Sequence, residues 1–240
     1  MFYKTKKKRI NKIEKMFDSI SKEYDFLNKI LTLGKDAKNK KEIARLVEGK
    51  NPRKVLDIAT GTADIPILLS KINDCEITGV DISKKMIEVG RKKIKNKNLK
   101  NKITLEIGKA EKLKYDSDNF DVVTICFGVR NFQYLEDSLK EAYRVLKNSG
   151  SLVIYETSTP KNIIIRYFYL IISILFIPFI GLLFSKNPSA YFYLQSSSKI
   201  FPSGTKFLKI LSKVGFYDFE IREKLLGSLS IYVAKKWLIT

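Results

Sequence analysis

Residues 53–64 read Arg53-Lys54-Val55-Leu56-Asp57-Ile58-Ala59-Thr60-Gly61-Thr62-Ala63-Asp64. The apolar run from Arg53 to Ala59 predicts a short strand, Thr60-Gly61-Thr62 predicts a turn, and Asp64 to Lys71 predicts a helix. A strand, a tight glycine turn and a helix form the first unit of a doubly wound α/β sheet. Downstream the alternation repeats. Glu76 to Val80 reads as a second strand closed by Asp81, and Ser83 is a candidate N-cap for a helix running to Lys95, with Met86, Ile87 and Ile94 at helical spacing. Further strands are expected at Ile103–Ile107, Phe120–Phe127 and Ser151–Thr157. A helix between Leu135 and Leu146 is expected to end on the turn Asn148-Ser149-Gly150. Near the end, a helix from about Thr205 to Val214 precedes Gly215-Phe216 and two strands, near Asp218–Glu223 and Ser228–Ala234, that read as a closing antiparallel pair. The fold class read from this pattern is α/β, Rossmann-like, with a mostly parallel sheet and helices on both faces.

The 240 residues are 45% hydrophobic, which suits one domain with a full core. The parts are a helical cap over 1–50, a core over 51–160, an apolar insertion over 161–204 and a closing segment over 205–240. Within the insertion, Tyr167 to Ser185 carries no charge and is rich in Phe, Ile and Leu. Its length approaches that of a bilayer span, but Pro178 and Gly181 argue against a regular one, and a span after the fifth strand would part the last strands from their sheet. A lid or interfacial helix pair is the favoured reading, and a plain core helix is the alternative.

The formal charge of +20 comes from 45 Lys and Arg against 25 Asp and Glu. The lysines are spread over the chain, and Lys, Ile and Asn are all abundant, so the compositional bias of an AT-rich genome is favoured over a dedicated nucleic-acid patch, while a peripheral contact with an anionic membrane surface stays open. There is no histidine, which removes an imidazole base, an imidazole metal ligand and a Ser/His/Asp triad. Cys75 and Cys126 lack paired spacing, so no metal site and no disulfide are expected, and a reducing cytoplasm is the natural compartment.

Asp57 and Gly61 at the end of the first strand, with Asp81 at the end of the second, form the constellation expected for a ribonucleoside cofactor. Gly61 lets the backbone pass close to the ligand, and Asp81 accepts from the ribose hydroxyls; helix capping is the competing role for Asp81. The loop has one glycine where a dinucleotide cradle has three, and its acidic residues suit a cationic sulfonium ligand better than a diphosphate. Methyl transfer therefore outranks hydride transfer, and a non-catalytic membrane-binding module would leave the Asp57 to Asp81 arrangement without purpose.

The segments Met16-Phe17-Asp18-Ser19-Ile20, Tyr24-Asp25-Phe26-Leu27-Asn28, Leu31-Thr32-Leu33-Gly34, Val55-Leu56-Asp57, Phe127-Gly128-Val129-Arg130-Asn131 and Glu141 to Lys147 together resemble the quinone-biosynthesis C-methyltransferases, which act on demethylmenaquinol and on a related ubiquinone precursor. The resemblance implies a class I S-adenosylmethionine-dependent methyltransferase with a seven-stranded sheet. It implies S-adenosylmethionine as cofactor, a prenylated quinol as substrate, and cofactor contacts from Thr62, Lys109, Ala110 and Cys126. Demethylmenaquinol is the favoured substrate, with the 2-polyprenyl-6-methoxy-benzoquinol precursor of ubiquinone as the alternative. An enzyme on the cytoplasmic side, peripherally associated with the membrane, is expected; a homodimer stays open. This chain departs from the family pattern at Ala63, where glycine is usual, at Lys109, where Asp or Asn is usual, at Cys126, commonly Ser, and at Asn39, which replaces a tryptophan. Methylating an aromatic carbon needs charge to develop on the ring oxygen, which Arg130 would stabilise. The proton acceptor would be a water held by Arg130 and Asn131, or a carboxylate such as Asp18 or Asp25. A structural salt bridge to the N-terminal helices is the competing role for Arg130.

Overall fold

Strand β1 (Lys54–Ile58) forms where the apolar run predicts it and is an interior strand of a seven-stranded sheet, as the computed structural model of the chain shows for residues 6–32, 34–184 and 187–237. The other strands are β2 (Glu76–Asp81), β3 (Ile103–Ile107), β4 (Phe120–Cys126), β5 (Leu146–Thr157), β6 (Phe216–Lys224) and β7 (Leu229–Lys236). Their order is β3-β2-β1-β4-β5-β7-β6; β1 to β5 run parallel, and β7 pairs antiparallel with both neighbours. The chain leaves β3 on one edge and returns beside β1 as β4, so the connections diverge between β1 and β4. At such a switch point a crevice opens at the carboxyl ends of the strands.

Alternation along the strands divides the core in two. Leu56, Ile58, Val123 and Ile125 face one side, where α6 (Leu135–Val145) and α9 (Thr205–Val214) cover them with Leu139, Ala142, Phe207 and Leu211. Val55 and Val122 face the other, against Ile43 and Val47 of α3 (Asp36–Glu48), Ile65 and Leu69 of α4 (Asp64–Leu69), and Ile87 and Ile94 of α5 (Lys84–Asn96). Ser83 caps α5 as expected, its hydroxyl accepting from the Met86 amide at 3.2 Å.

One expected turn is absent. Helix α6 ends at Val145 and the chain enters β5 at once, because Leu146 is fully buried and pairs with Phe120. The local turn chemistry of Asn148-Ser149-Gly150 survives only as an irregularity, with Ser149 at φ 61° and a register shift opposite Phe120 and Val122. Burial of a large side chain outweighs local turn preference here.

Ahead of β1, α1 (Lys6–Ile20), α2 (Tyr24–Leu31) and α3 form the cap. The insertion is a helix pair, α7 (Ile163–Phe184) and α8 (Pro188–Ile200). Asn162 caps α7, its side-chain oxygen accepting from the Ile164 and Ile165 amides at 2.9 and 3.2 Å. Ala190 and Leu194 of α8 bury against Ile20 of α1 and Met86 of α5, so cap, core and insertion share a third small cluster. On α7, Ile163, Ile164, Tyr167, Phe168, Ile171 and Ile172 stay exposed, at the i, i+4, i+8 spacing of one helix face. Ser185, the expected end of the apolar run, and the side chains of 175–184 lie outside the described residues. Among the described residues no helix is long and apolar enough to cross a membrane.

Candidate active site

A cleft opens at the carboxyl ends of β1, β2 and β4. Its floor is made by the loop after β1, which turns through three left-handed residues, Ala59 (φ 57°), Gly61 (φ 55°) and Ala63 (φ 67°). A methyl-bearing residue in this conformation costs about 1 kcal/mol relative to glycine. Ala63, where the family pattern has glycine, carries that cost. The loop can approach β4 only because residue 128 is glycine: a Cβ there would sit 2.5 Å from that of Ala59. Ile13 and Phe17 of α1 and Tyr24 of α2 close the cleft from above.

Asp81 lines the cleft at the end of β2 and is almost fully buried. Its two oxygens accept from the Gly61 amide and the Ser83 amide, both at 2.8 Å, and the Ile82 amide also faces it; three donors aim the carboxylate and leave part of its acceptor capacity unused. Burial raises its pKa to about 6 despite these hydrogen bonds. An incompletely satisfied carboxylate in a mainly apolar cleft fits a ribose diol, and Ile82, Met86 and Ala110 supply a flat apolar wall beside it. Capping and ligand binding are therefore compatible roles for Asp81. Lys109 is exposed at the rim and Cys126 lies in the wall, with burial holding its thiol protonated. S-adenosylmethionine fits this end of the cleft: one buried acceptor for the hydroxyls, apolar surface for a base, and no cluster of cations that would call for a diphosphate.

Two of the residues expected to hold the cofactor are not brought to the cleft. Asp57 is buried beneath the loop, where its Oδ1 accepts from the Thr124 hydroxyl of the adjacent strand at 2.6 Å; burial pushes its carboxyl up to about 7. Thr62 donates to Asp25 at 2.6 Å and accepts from Lys93 at 3.0 Å. Both shape the loop from behind.

Asp18 and Asp25 also lie outside the cleft lining. Asp18 Oδ1 accepts from the Ser83 hydroxyl at 2.6 Å and the Lys85 amide at 3.1 Å, at the N-terminus of α5. Asp25 pairs with Lys93 at 2.6 Å besides accepting from Thr62. They clasp the cap to the core. Lys40 continues the network, bridging Asp36 at 2.5 Å and Asp64 at 3.0 Å. The position where the family pattern has tryptophan is filled by Asn39, which donates to the Tyr155 hydroxyl at 2.7 Å within the core.

At the other end of the cleft, a single helical turn over Val129–Asn131 follows β4. Asn131 and Gln133 line the cleft, and each has a buried side-chain oxygen without a hydrogen-bond partner. Arg130 stands behind this wall. Its guanidinium lies 5.4 Å above the Phe127 ring and pairs with Glu156 of β5, whose second oxygen accepts from the Arg130 amide at 3.3 Å. The salt bridge weighed for Arg130 is thus present, with a strand carboxylate rather than the N-terminal helices. One nitrogen, Nε, stays buried and unpartnered. Sequence reading gave no role to Tyr24, Gln133 or Glu156. Only Glu156 left a signal, as a lone carboxylate closing the apolar run from Leu152 to Tyr155.

The chain matches the model of the ubiE/COQ5 methyltransferase family over residues 4–236. It is 37% identical to a demethylmenaquinone methyltransferase of Bacteroides fragilis, over 98% of this chain and 96% of that one. A ubiquinone/menaquinone biosynthesis C-methyltransferase of Geotalea daltonii is 36% identical over 94% of this chain and 96% of its own length. A solved SAM-dependent methyltransferase from Aquifex aeolicus superposes with a TM-score of 0.59 at 16% identity, covering 87% of this chain and 97% of that chain, a likeness of fold.

Proposed function

Since this chain belongs to the ubiE/COQ5 methyltransferase family and is therefore an S-adenosylmethionine-dependent C-methyltransferase, we propose that it methylates a ring carbon of a prenylated quinol, with demethylmenaquinol as the substrate. The observation that carries this reading is the shape of one cleft: a buried carboxylate, Asp81, at one end, and two unpartnered amide oxygens, Asn131 and Gln133, at the other. When bound, S-adenosylmethionine supplies an electrophilic methyl group. Asp81 orients it through the ribose hydroxyls, with the apolar wall excluding water. A quinol brings two hydroxyl donors, and the oxygens of Asn131 and Gln133 are the acceptors that meet them. Arg130 stands behind Asn131, where its guanidinium favours the phenolate that forms as a quinol hydroxyl loses its proton, which in turn makes the ring carbon nucleophilic toward the methyl group. The released proton goes to water at Asn131, since Asp18 and Asp25 are engaged elsewhere.

The exposed stripe on α7 suits a tail that begins in a bilayer, and supports a peripheral enzyme at the cytoplasmic face. Relatives such as that of Geotalea daltonii, which carries both the ubiquinone and the menaquinone name, keep a ubiquinone precursor as the second candidate. Incubation with cofactor and each prenylated quinol, followed by mass spectrometry, tests the assignment. Addition of one methyl group to demethylmenaquinol is expected. Methylation of the benzoquinol precursor alone would move the assignment to the ubiquinone branch, and no methylation of either quinol would overturn it.

A further inference from the structure

Adjoining the Arg130–Glu156 pair through Tyr169, a second pocket opens between the end of β5 and the helices α7 and α8. It differs in chemistry from the cleft. Arg166 of α7 and Lys199 of α8 reach it from opposite sides, and Ser158, Thr159, Gln195 and Ser198 complete its polar lining. Among the described residues no carboxylate lines it. Among the described residues neither Arg166 nor Lys199 makes an ion pair, whereas Lys161, close by, is neutralised by Glu223 at 2.6 Å. Two uncompensated cations beside hydroxyl groups favour an anion with several oxygens.

The cavity has a fixed relation to the apolar stripe. Arg166 and Leu170 face it from α7, while Tyr167, Phe168, Ile171 and Ile172 of the same helix are exposed, as is Ile200, next to Lys199, at 81%. A helix lying in an interface with its apolar side chains among acyl chains brings its cations to the level of the phosphates. We propose that this cavity is a binding site for the phosphate headgroup of an anionic phospholipid, which holds the insertion on the membrane surface. The occupant follows from charge complementarity together with the adjoining apolar stripe: a soluble phosphate would satisfy the cations and leave that stripe in water. The inference rests on the peripheral membrane reading above and adds the place and the chemistry of the contact. Tyr169 also lines the cavity and lies within electrostatic reach of Arg130 and Glu156, so an occupied site would adjoin the wall behind the active cleft.

The test is co-sedimentation of the full chain, saturated with cofactor, with vesicles of phosphatidylcholine alone and of phosphatidylcholine mixed with phosphatidylglycerol. The double variant Arg166→Gln, Lys199→Gln is compared with Lys97→Gln, Lys100→Gln, which removes the same charge from exposed positions beyond the opposite end of the sheet. Wild type is expected to prefer the anionic vesicles, and the cavity variant to lose roughly thirtyfold in affinity for them while the control loses little. Turnover of a short-tailed quinol in solution should be the same for all three proteins; loss of that turnover in wild type would count against the methyltransferase assignment and not against the cavity. Equal loss in both variants would show diffuse charge attraction and overturn the proposal. So would wild type that ignores the anionic lipid, or wild-type binding to anionic vesicles that soluble glycerol phosphate fully reverses.

Discussion

In the proposed reading Asp81 serves structure and ligand together. Its oxygens hold the amides of Gly61 and Ser83, and the same burial that orients it raises its pKa to about 6. The ionised form is the one that accepts from two hydroxyls, so cofactor affinity is expected to be full above about pH 6 and to fall as pH drops through that value. Asp81→Asn should weaken binding by about 10- to 100-fold, the loss of charge-assisted hydrogen bonds worth about 1.5–3 kcal/mol, and should flatten the pH dependence. Calorimetric titration between about pH 5 and pH 8 reads both effects; near-normal affinity in the variant would remove Asp81 from the site. Arg130 is the second residue whose role a substitution can separate. Arg130→Lys keeps the charge and loses the planar fork, and should lower the single-turnover rate by about 100-fold with cofactor affinity unchanged. Should the folded variant melt at lower temperature but turn over normally, the pair with Glu156 is its whole purpose.

At the level of elements, the site depends on how closely the loop after β1 and the turn after β4 approach. Gly128 and Gly61 belong to these two elements but are glycine for different reasons. At 128 the limit is space, since a Cβ would lie 2.5 Å from that of Ala59; at 61 it is the backbone angle of 55°, with only the Tyr24 ring, 3.9 Å away, near the place a Cβ would take. Gly128→Ala should therefore push the turn away, cost about 1–3 kcal/mol and weaken cofactor binding. Gly61→Ala should cost about 1 kcal/mol through the backbone alone. Melting temperatures of the two variants give the order, and a Gly128→Ala protein as stable as wild type would mean that the approach is looser than the geometry requires.

Over the whole molecule, the cap is joined to the core by carboxylates that reach across the chain. Asp18 holds the start of α5, 65 residues away, and Asp25 holds Thr62, 37 residues away. Since Phe17 and Tyr24 roof the cleft, a loosened cap should cost affinity. Asp18→Ala with Asp25→Ala should reduce cofactor binding by about fivefold, the equivalent of the roughly 1 kcal/mol that a helix cap contributes. Amide exchange should quicken in α1 and α2 while β1 and β4 stay protected; unchanged exchange in the cap would show that the apolar contacts of Ile20 with Met86 and Leu194 suffice. From the sequence alone came the order of strands and helices, the loop from Asp57 to Asp64 and the carboxylate of Asp81 at a strand end, because strand alternation, helix spacing and turn chemistry are settled by steric and burial preferences among near neighbours. The tertiary structure decided which carboxylates remain for a ligand. Asp18, Asp25 and Asp57 have the composition of site residues, and each is consumed by a partner that no local pattern announces, while Glu156 takes up Arg130 from 26 residues away. An ionised group acts through whatever stands opposite it, and that is set only when distant surfaces meet.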